Sequence, residues 1–300
     1  MIAPEPGQVQ RPAAGLRMVL APNPSPMTLH GTNSYILGHG AVALIDPGPD
    51  LPEHLAALEA ALAPGERIAQ IFVTHAHRDH SPLADVLGAR WGAPVLAFGA
   101  ADAGRSPAME ALARAGEIGG GEGVDADFRP DRCLADGETV AAETWQLRAR
   151  WTPGHMGNHM CFQWGDLVFT GDHVMGWASS LVSPPDGDMG AYMRSLEKLA
   201  RLGARRMFSA HGDPIDAPAA RIAELAAHRR SREAQILAAL GPEPRGIGEI
   251  AAGIYRDVSP KLLRAARRNV LAHLLDLTAR GLAQPLGPPG PDTRFRTPPA

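Results

Sequence analysis

Residues 71–80 of this chain are I-F-V-T-H-A-H-R-D-H, and they carry its clearest structural signal. The apolar first half predicts a buried β-strand. The polar second half places four potential metal ligands within six residues, namely His75, His77, Asp79 and His80. In an extended segment the first two histidines point to the same side, because side chains alternate with a period of two, and the following turn can bring the other two to a second position nearby. The spacing therefore predicts two neighbouring metal sites.

Three further sequences of this kind occur downstream, each directly after a run that predicts a strand. They are Thr152-Pro-Gly-His155, Thr170-Gly-Asp172 and Ser209-Ala-His211. T-H-A-H-R-D-H followed by these three matches the HxHxDH pattern of the metallo-β-lactamase superfamily, and the chain resembles that superfamily. The alternative, a polar loop that is rich in histidine by chance, does not account for the ordered downstream set.

The resemblance implies a ligand set and a chemistry. One metal would be held by His75, His77 and His155, a second by Asp79, His80 and His211, and Asp172 would bridge both. Imidazole and carboxylate ligands without a thiolate favour Zn²⁺, with iron and manganese as alternatives. Two such ions can share a hydroxide that attacks an acyl carbon or a phosphorus. Asp79 and Asp172 would be the catalytic carboxylates, the former by orienting the nucleophile.

Four more residues are candidates for supporting roles. Asn33, in G-T-N-S-Y, and Trp177, in the loop after the bridging carboxylate, are expected at the mouth and wall of a substrate site. Asp46, in D-P-G, and His159, four residues after a ligand, are expected to contact metal ligands from behind. Each has a structural alternative: a turn former for Asn33, a turn or cap for Asp46, structural support for His159 and ordinary packing for Trp177.

Strands alternate with helices from Leu16 to about residue 215, a pattern typical of an α/β fold. The resemblance implies an αβ/βα sandwich for this catalytic domain, residues 16–215. From Pro218 onward three helical patterns follow, and H-R-R-S-R-E-A-Q-I-L with S-P-K-L-L-R-A-A-R-R-N-V-L-A-H-L-L resembles the C-terminal domain of the β-lactamase-like protein 2 family. Residues 216–285 are therefore expected to form a small all-helical, winged-helix-like domain. The Pro-rich ends, 1–15 and 286–300, are expected to be disordered.

The charge is distributed unevenly and bears on the substrate. Residues 1–200 carry 13 Lys and Arg against 23 Asp and Glu, whereas residues 201–300 carry 16 against 9. A basic face that could contact RNA phosphates is formed in sequence by Arg256, Lys261, Arg264, Arg267 and Arg268. A solvated helix face is the alternative, because basic patches that bind RNA usually also carry stacking aromatic side chains.

Three functions remain open at this point. The resembled family includes a member that cleaves single-stranded RNA and relatives that hydrolyse carrier-bound thioesters. The acidic balance of residues 1–200 would repel a polyanion, which favours a small ester, thioester or lactone over RNA. A non-catalytic metal-binding or interaction module is the third possibility, and it predicts a missing ligand that this sequence does not show.

The two cysteines, Cys133 and Cys161, form neither a CxxC pair nor a disulfide framework. No apolar run approaches the roughly 20 residues of a membrane span, and no signal-like start is visible. We therefore expect a cytoplasmic location and no membrane contact. The sequence does not indicate an oligomeric state.

Overall fold

The structure, a computed structural model, describes residues 5–116, 123–256, 260–290 and 292–299, with side chains in the third range from residue 263 onward. Two β-sheets pack face to face, and helices cover their outer faces. Residues of one strand show this layering: Val42 and Leu44 pack under the first helices, whereas Ala43 and Ile45 face the second sheet. Apolar residues on both faces are what a strand between two layers requires.

The first sheet has seven strands in chain order, antiparallel up to the fourth strand and parallel from there on. They are β1 (Val9–Ala13), β2 (Leu16–Leu20), β3 (Asn33–Leu37), β4 (Ala41–Ile45), β5 (Arg67–Phe72), β6 (Val95–Ala97) and β7 (Arg132–Cys133). The helices of this half are α1 (Pro52–Ala60), α2 (Leu83–Trp91) and α3 (Pro107–Ala115). The core on this side places Leu58 of α1 and Leu87 of α2 against Ile71 of β5.

The second sheet has the strand order β12-β11-β10-β9-β8. Its strands are β8 (Thr139–Ala141), β9 (Gln146–Trp151), β10 (Met160–Trp164), β11 (Leu167–Gly171) and β12 (Arg206–Ser209), and α4 (Met189–Ala200) lies between the last two in the chain. The core between the two sheets is rich in aromatic rings, with Phe72 against Phe162 and Tyr35 against Phe169. Tyr192 and Leu196 of α4 pack on the outer face of the second sheet.

The C-terminal part combines three helices with a small sheet. The helices are α5 (Pro218–Ala239), α6 (Ile247–Ile254) and α7 (Pro260–Ala279), and the strands β13 (Arg245–Gly246), β14 (Gln284–Leu286) and β15 (Arg294–Arg296) form a sheet of order β13-β15-β14. Their shared core includes Met109 and Leu112 of α3. The C-terminal part is therefore packed directly against the α/β part.

Three expectations need correction. The C-terminal part is not all helical, because β13, β14 and β15 pair there. Residues 286–300 were expected to be disordered, yet β15 belongs to this sheet and Phe295 is fully buried. Residues 1–15 were expected to be disordered as well, yet β1 pairs antiparallel with β2. β1 is a short edge strand that contains Pro12, and β15 is a central strand of only three residues, so neither gives a periodic signal in the sequence. In the described part of the chain, no helix combines the length and apolar character needed to cross a bilayer.

Candidate metal centre

The predicted ligands meet at one rim of the sandwich, where strands of both sheets end. His75 follows β5, His155 follows β9, Asp172 follows β11 and His211 follows β12. Glycine is needed next to Asp172, because a Cβ on Gly171 would lie 2.7 Å from both His159 Nε2 and Thr74 Oγ1. The T-G-D sequence thus lets β11 approach the β5 loop closely enough for their polar side chains to meet.

One group of potential ligands consists of His75, His77, His155 and Asp172, whose donor atoms all lie within 4.8 Å of one another. The Nδ1 of His77 is 2.9 Å from His75 Nε2 and 3.1 Å from His155 Nε2. Three ring nitrogens thus converge on a small volume. Such convergence is the arrangement that a cation with imidazole ligands requires.

The other group consists of Asp79, His80 and His211, again within 4.8 Å. His211 Nε2 lies 3.2 Å from Asp79 Oδ2, and His80 Nε2 lies 3.5 Å from the same oxygen. Among the residues that the structure describes, the buried His80 Nε2 has no hydrogen-bond partner. An unsatisfied buried nitrogen that faces a carboxylate is a fitting position for a metal ion.

Asp172 lies between the two groups, and each of its oxygens faces a different one. Its Oδ2 is 3.6 Å from His155 Nε2 in the first group. Its Oδ1 is 3.2 Å from His211 Nε2 and 3.6 Å from His80 Nε2 in the second group. A carboxylate in this position can contribute one oxygen to each of two neighbouring ions.

Contacts behind the rings orient most of these histidines. His155 Nδ1 lies 2.7 Å from the Leu181 carbonyl, and His211 Nδ1 lies 3.1 Å from the Gly31 carbonyl. Because a carbonyl only accepts, each Nδ1 carries the proton, and the Nε2 lone pair faces the centre. These two carbonyls leave no signal in a sequence, since any residue has a backbone oxygen.

Asp46 orients two more rings, from the position behind the ligands that was expected for it. Its Oδ2 lies 3.1 Å from His80 Nδ1 and accepts the Thr74 hydroxyl at 2.8 Å. The Thr74 Oγ1 in turn lies 3.0 Å from His75 Nδ1. Both rings therefore carry their proton on Nδ1 and present Nε2 to the centre. His77 is the exception, because it presents Nδ1.

The pKa shifts of the histidines differ between the two groups, and both kinds of shift favour the binding of cations. Burial lowers the pKa of His75, as does the nearby His80, and burial lowers the pKa of His77 to about 3. These rings are thus neutral, which is the form that binds metal. Burial would also lower the pKa of His211, but Asp172 and Asp79 raise it to about 10. The carboxylates therefore create a negative potential that favours positive charge at this position, so the residues present fit divalent metal ions.

A cavity of about 440 Å³ opens onto the ligands. Its lining includes five of the seven predicted ligands, His77, Asp79, His155, Asp172 and His211. Most of its other walls are apolar, formed by Pro26, Met27, Met175, Trp177 and Leu181 and by Tyr255, Ala265 and Ala266 from the C-terminal part. Asn269 of α7 adds a polar side chain that was not predicted from the sequence. The two parts of the chain thus build this cavity together.

The remaining candidates occupy different positions. Trp177 lines the cavity, as expected for a wall residue. His159 is buried, and its Nδ1 lies 2.9 Å from Thr152 Oγ1 while its ring centre lies 5.1 Å from that of His75. Asn33, expected at the mouth, is instead buried and donates to the carbonyls of Ser209 and Gly212. It therefore fixes the backbone on either side of His211, and the expectation of substrate contact is corrected.

The predicted basic face is only partly formed. Arg268 donates from Nε to Ser183 Oγ at 2.8 Å and also to the Pro184 carbonyl, so it fastens α7 to the loop beside the cavity. Arg256, Arg264 and Arg267 are exposed, and the Lys261 side chain lies outside the described residues. The face is therefore smaller than the sequence pattern predicts.

Sequence comparison establishes the family. The sequence profile of the metallo-beta-lactamase superfamily matches residues 27–211, and that of the beta-lactamase associated winged helix domain matches residues 247–287. The chain belongs to the metallo-beta-lactamase superfamily. Superfamily membership confirms the predicted fold and makes the chain a metal-dependent hydrolase, with a His and Asp cluster suited to divalent metals.

Individual relatives within the superfamily support the same assignment. A beta-lactamase-like protein 2 homolog from Drosophila melanogaster is 31% identical over 284 residues, 91% of this chain and 91% of that protein. An atrochrysone carboxyl ACP thioesterase from Aspergillus fumigatus is 32% identical over 229 residues, 74% of this chain and 64% of that protein. The crystal structure of a superfamily protein from Thermus thermophilus has a TM-score of 0.75 at 26% identity, covering 95% of this chain and 99% of that chain.

Proposed function

We propose that this chain is a dinuclear-metal hydrolase that cleaves an ester, thioester or lactone of a compact acyl group. The observation that carries the proposal is the mostly apolar cavity of about 440 Å³ that opens directly onto the ligand cluster. Cavities of this size and character suit small molecules with apolar parts. The similarity to a carrier-protein thioesterase supports the same class of substrate.

In this proposal each of the two groups of predicted ligands holds one metal ion. His75, His77 and His155 hold one ion, Asp79, His80 and His211 hold the other, and Asp172 contributes one oxygen to each. Zn²⁺ is the preferred metal, because the ligands are imidazoles and carboxylates without a thiolate, with iron and manganese as alternatives. Bound there, such ions supply Lewis acidity for a carbonyl and lower the pKa of water.

The chain's own residues do the positioning. Asp79 lines the cavity, and its Oδ2 faces His80 and His211, which leaves Oδ1 to accept a hydrogen bond from the attacking water. Trp177 and Met175 hold the acyl group by apolar contact and exclude bulk water from the reacting carbonyl. The sulfur or oxygen leaving group would depart as the thiol or alcohol, with a proton from the attacking water.

RNA cleavage is the competing activity, and the walls of the cavity disfavour it. An RNA strand needs cationic side chains along its backbone, and the lining of this cavity includes acidic Asp186 but no lysine or arginine among the described residues. Arg264 and Arg267 are exposed on α7 and are not among the residues that line the cavity.

A panel of substrates tests the proposal. Zinc-loaded enzyme is offered acyl thioesters, lactones and labelled single-stranded RNA, together with an Asp172→Ala variant. We expect thioester or lactone turnover, and a loss of more than about tenfold in kcat for Asp172→Ala, because removing an oxygen ligand of both ions costs well over about 1.4 kcal/mol. The proposal would be overturned if the enzyme cleaved RNA in a salt-sensitive manner and turned over no thioester. That RNA cleavage would have to be lost both in Asp172→Ala and in a combined Arg264/Arg267→Ala variant.

A further inference from the structure

One polar side chain in the cavity has an orientation that its neighbours determine. Asn269 is half-buried on α7 and lines the same cavity as five of the seven predicted ligands. Its Oδ1 accepts the backbone N–H of Val182 at 3.2 Å and an N–H from Arg229 Nη1 at 3.3 Å. A backbone amide and a guanidinium can only donate, so the side-chain atom that faces them must be the oxygen.

The amide nitrogen of Asn269 is consequently directed elsewhere. Among the residues that the structure describes, Nδ2 has no hydrogen-bond acceptor. It carries two N–H donors, and the neighbouring wall on α7 is formed by Ala265 and Ala266. An unpaired donor in a mostly apolar cavity discriminates strongly between ligands, because leaving it unmatched is costly.

Arg229 fixes this orientation and strengthens the donor. It is almost completely buried on α5, with its guanidinium carbon 5.2 Å from the centre of the Tyr192 ring. It also donates from Nη2 to the Ser180 carbonyl. Because a cation at Oδ1 draws electron density from the amide, the N–H groups of Nδ2 become more positive and bind an oxygen more tightly.

The position of Asn269 relative to the ligands decides which oxygen it can reach. Its partner Val182 directly follows Leu181, whose carbonyl accepts from His155 Nδ1. Asn269 is thus connected to the Nδ1 edge of His155, whereas the Nε2 edge faces the other ligands. Since the reacting carbonyl would lie on the Nε2 side of His155, the amide is placed to meet the remainder of the acyl chain.

We propose that Asn269 is a specificity residue that donates from Nδ2 to an oxygen on the acyl chain, and that Arg229 is its positioning residue. The preferred substrate is therefore an oxo-substituted acyl thioester or ester. This inference rests on the proposed acyl hydrolysis for its substrate class. It also gives the C-terminal part of the chain a role, because both residues lie on its helices.

Three thioesters of equal chain length test the inference, namely the hexanoyl, 3-oxohexanoyl and 5-oxohexanoyl esters of N-acetylcysteamine. The readout is the ratio of kcat/KM for an oxo substrate to that for hexanoyl. We expect a ratio of about 10 for at least one oxo substrate in the wild type, the size of one well-formed hydrogen bond to an otherwise unmatched donor. In Asn269→Asp, which keeps the acceptor oxygen but replaces the donor with oxygen, the ratio falls to about 1 or below.

Asn269→Ala distinguishes loss of the N–H donors from the added negative charge of Asn269→Asp. It removes the N–H groups without adding a carboxylate, so it too should reduce the ratio to about 1. Arg229→Lys, which can still donate to Oδ1, retains more of the preference than Arg229→Met. If the wild type shows no preference, or if only the Asp variant loses it, the inference is wrong.

A binding measurement distinguishes failure of this inference from failure of the proposed function. Dethia analogues, in which a methylene replaces the thioester sulfur, bind without turnover and report the same oxo-to-unsubstituted ratio as Kd values. The wild type could hydrolyse no thioester and still bind the oxo analogue about tenfold more tightly than the unsubstituted one. If that preference depends on Asn269, only the proposed reaction is wrong. Equal Kd values for the oxo and unsubstituted analogues would overturn the inference itself.

Discussion

Asp46→Asn is the substitution that tests most sharply how the histidines are oriented. Asp46 has a positive φ of 49°, a conformation that asparagine tolerates as well as aspartate does, so the backbone keeps its shape. Asp46 Oδ1 accepts the Thr74 N–H at 2.7 Å, and that contact forces the oxygen of the new amide to the same place. The NH₂ group then replaces Oδ2 and faces His80 Nδ1 and Thr74 Oγ1.

The new amide reverses the hydrogen bond to His80. Its N–H donates to Nδ1, which moves the ring proton to Nε2 and blocks the lone pair that faces Asp79 and Asp172. Loss of such a contact behind a ligand costs about 10–100-fold in metal affinity, or about 1.4–2.7 kcal/mol. Two charge-assisted hydrogen bonds disappear as well, at about 1.5–3 kcal/mol each, so the free energy of unfolding should fall by a few kcal/mol.

Chelator competition followed by elemental analysis measures the effect. We expect Asp46→Asn to lose metal at a chelator concentration about 10–100-fold lower than the wild type does. Asp131→Asn is the matched control: it removes one carboxylate charge, keeps an acceptor for the Val95 N–H, and lies away from the centre. If Asp46→Asn retained its metal as the wild type does, the reasoning on ring orientation would be refuted.

Two further predictions concern stability. Burial and the nearby Arg229 lower the pKa of His273 to about 3. Because only the unfolded state then binds a proton near pH 6.5, His273 should account for about 2 kcal/mol of the stability that the protein loses between pH 7 and pH 5. In urea unfolding the loss for His273→Leu should be smaller than that of the wild type by this amount, and equal pH slopes would contradict this. Phe295 is fully buried in β15, so Phe295→Ala should lower the free energy of unfolding by about 3–5 kcal/mol, whereas a disordered tail would lose nothing in thermal or urea unfolding.

The candidate metal ligands could be proposed from the sequence because imidazole and carboxylate side chains recur in the order of the superfamily motif. Histidine and aspartate at the ends of apolar runs are recognisable in the sequence as potential ligands. Strands that end at one rim then bring His75, His155 and Asp172 together. Gly171 is likewise dictated by its residue type, since a side chain there would collide with His159 and Thr74. The alternation of strands and helices indicated an α/β fold, and the resemblance to the superfamily implied the sandwich.

Contacts that depend on the backbone or on a distant helix were not predictable. The carbonyls of Leu181 and Gly31 orient two rings, but any residue has a carbonyl. Asn269 lies among arginines on α7, and only the fold shows that it reaches the cavity. The prediction for Asn33 was wrong because a polar residue near the site suggested contact with substrate. Its side-chain amide instead donates to backbone carbonyls.

Some expectations stay predictions. The boundary near residue 215 between a catalytic and a C-terminal domain is one, since α3 shares the C-terminal core and both parts line the cavity. The cytoplasmic location is another. The short strands β1 and β15 escaped detection because pairing with their neighbours, not their own composition, orders them.

Metal stoichiometry is the decisive measurement for the proposal that the chain binds two divalent metal ions through the seven clustered side chains. Protein purified without added metal, and again after reconstitution with zinc or manganese, is analysed for metal per chain by elemental analysis and native mass spectrometry. We predict two ions per chain, because Asp172 presents one oxygen to each ligand group. Less than about half an equivalent, or a single ion that excess metal does not raise to two, would contradict this.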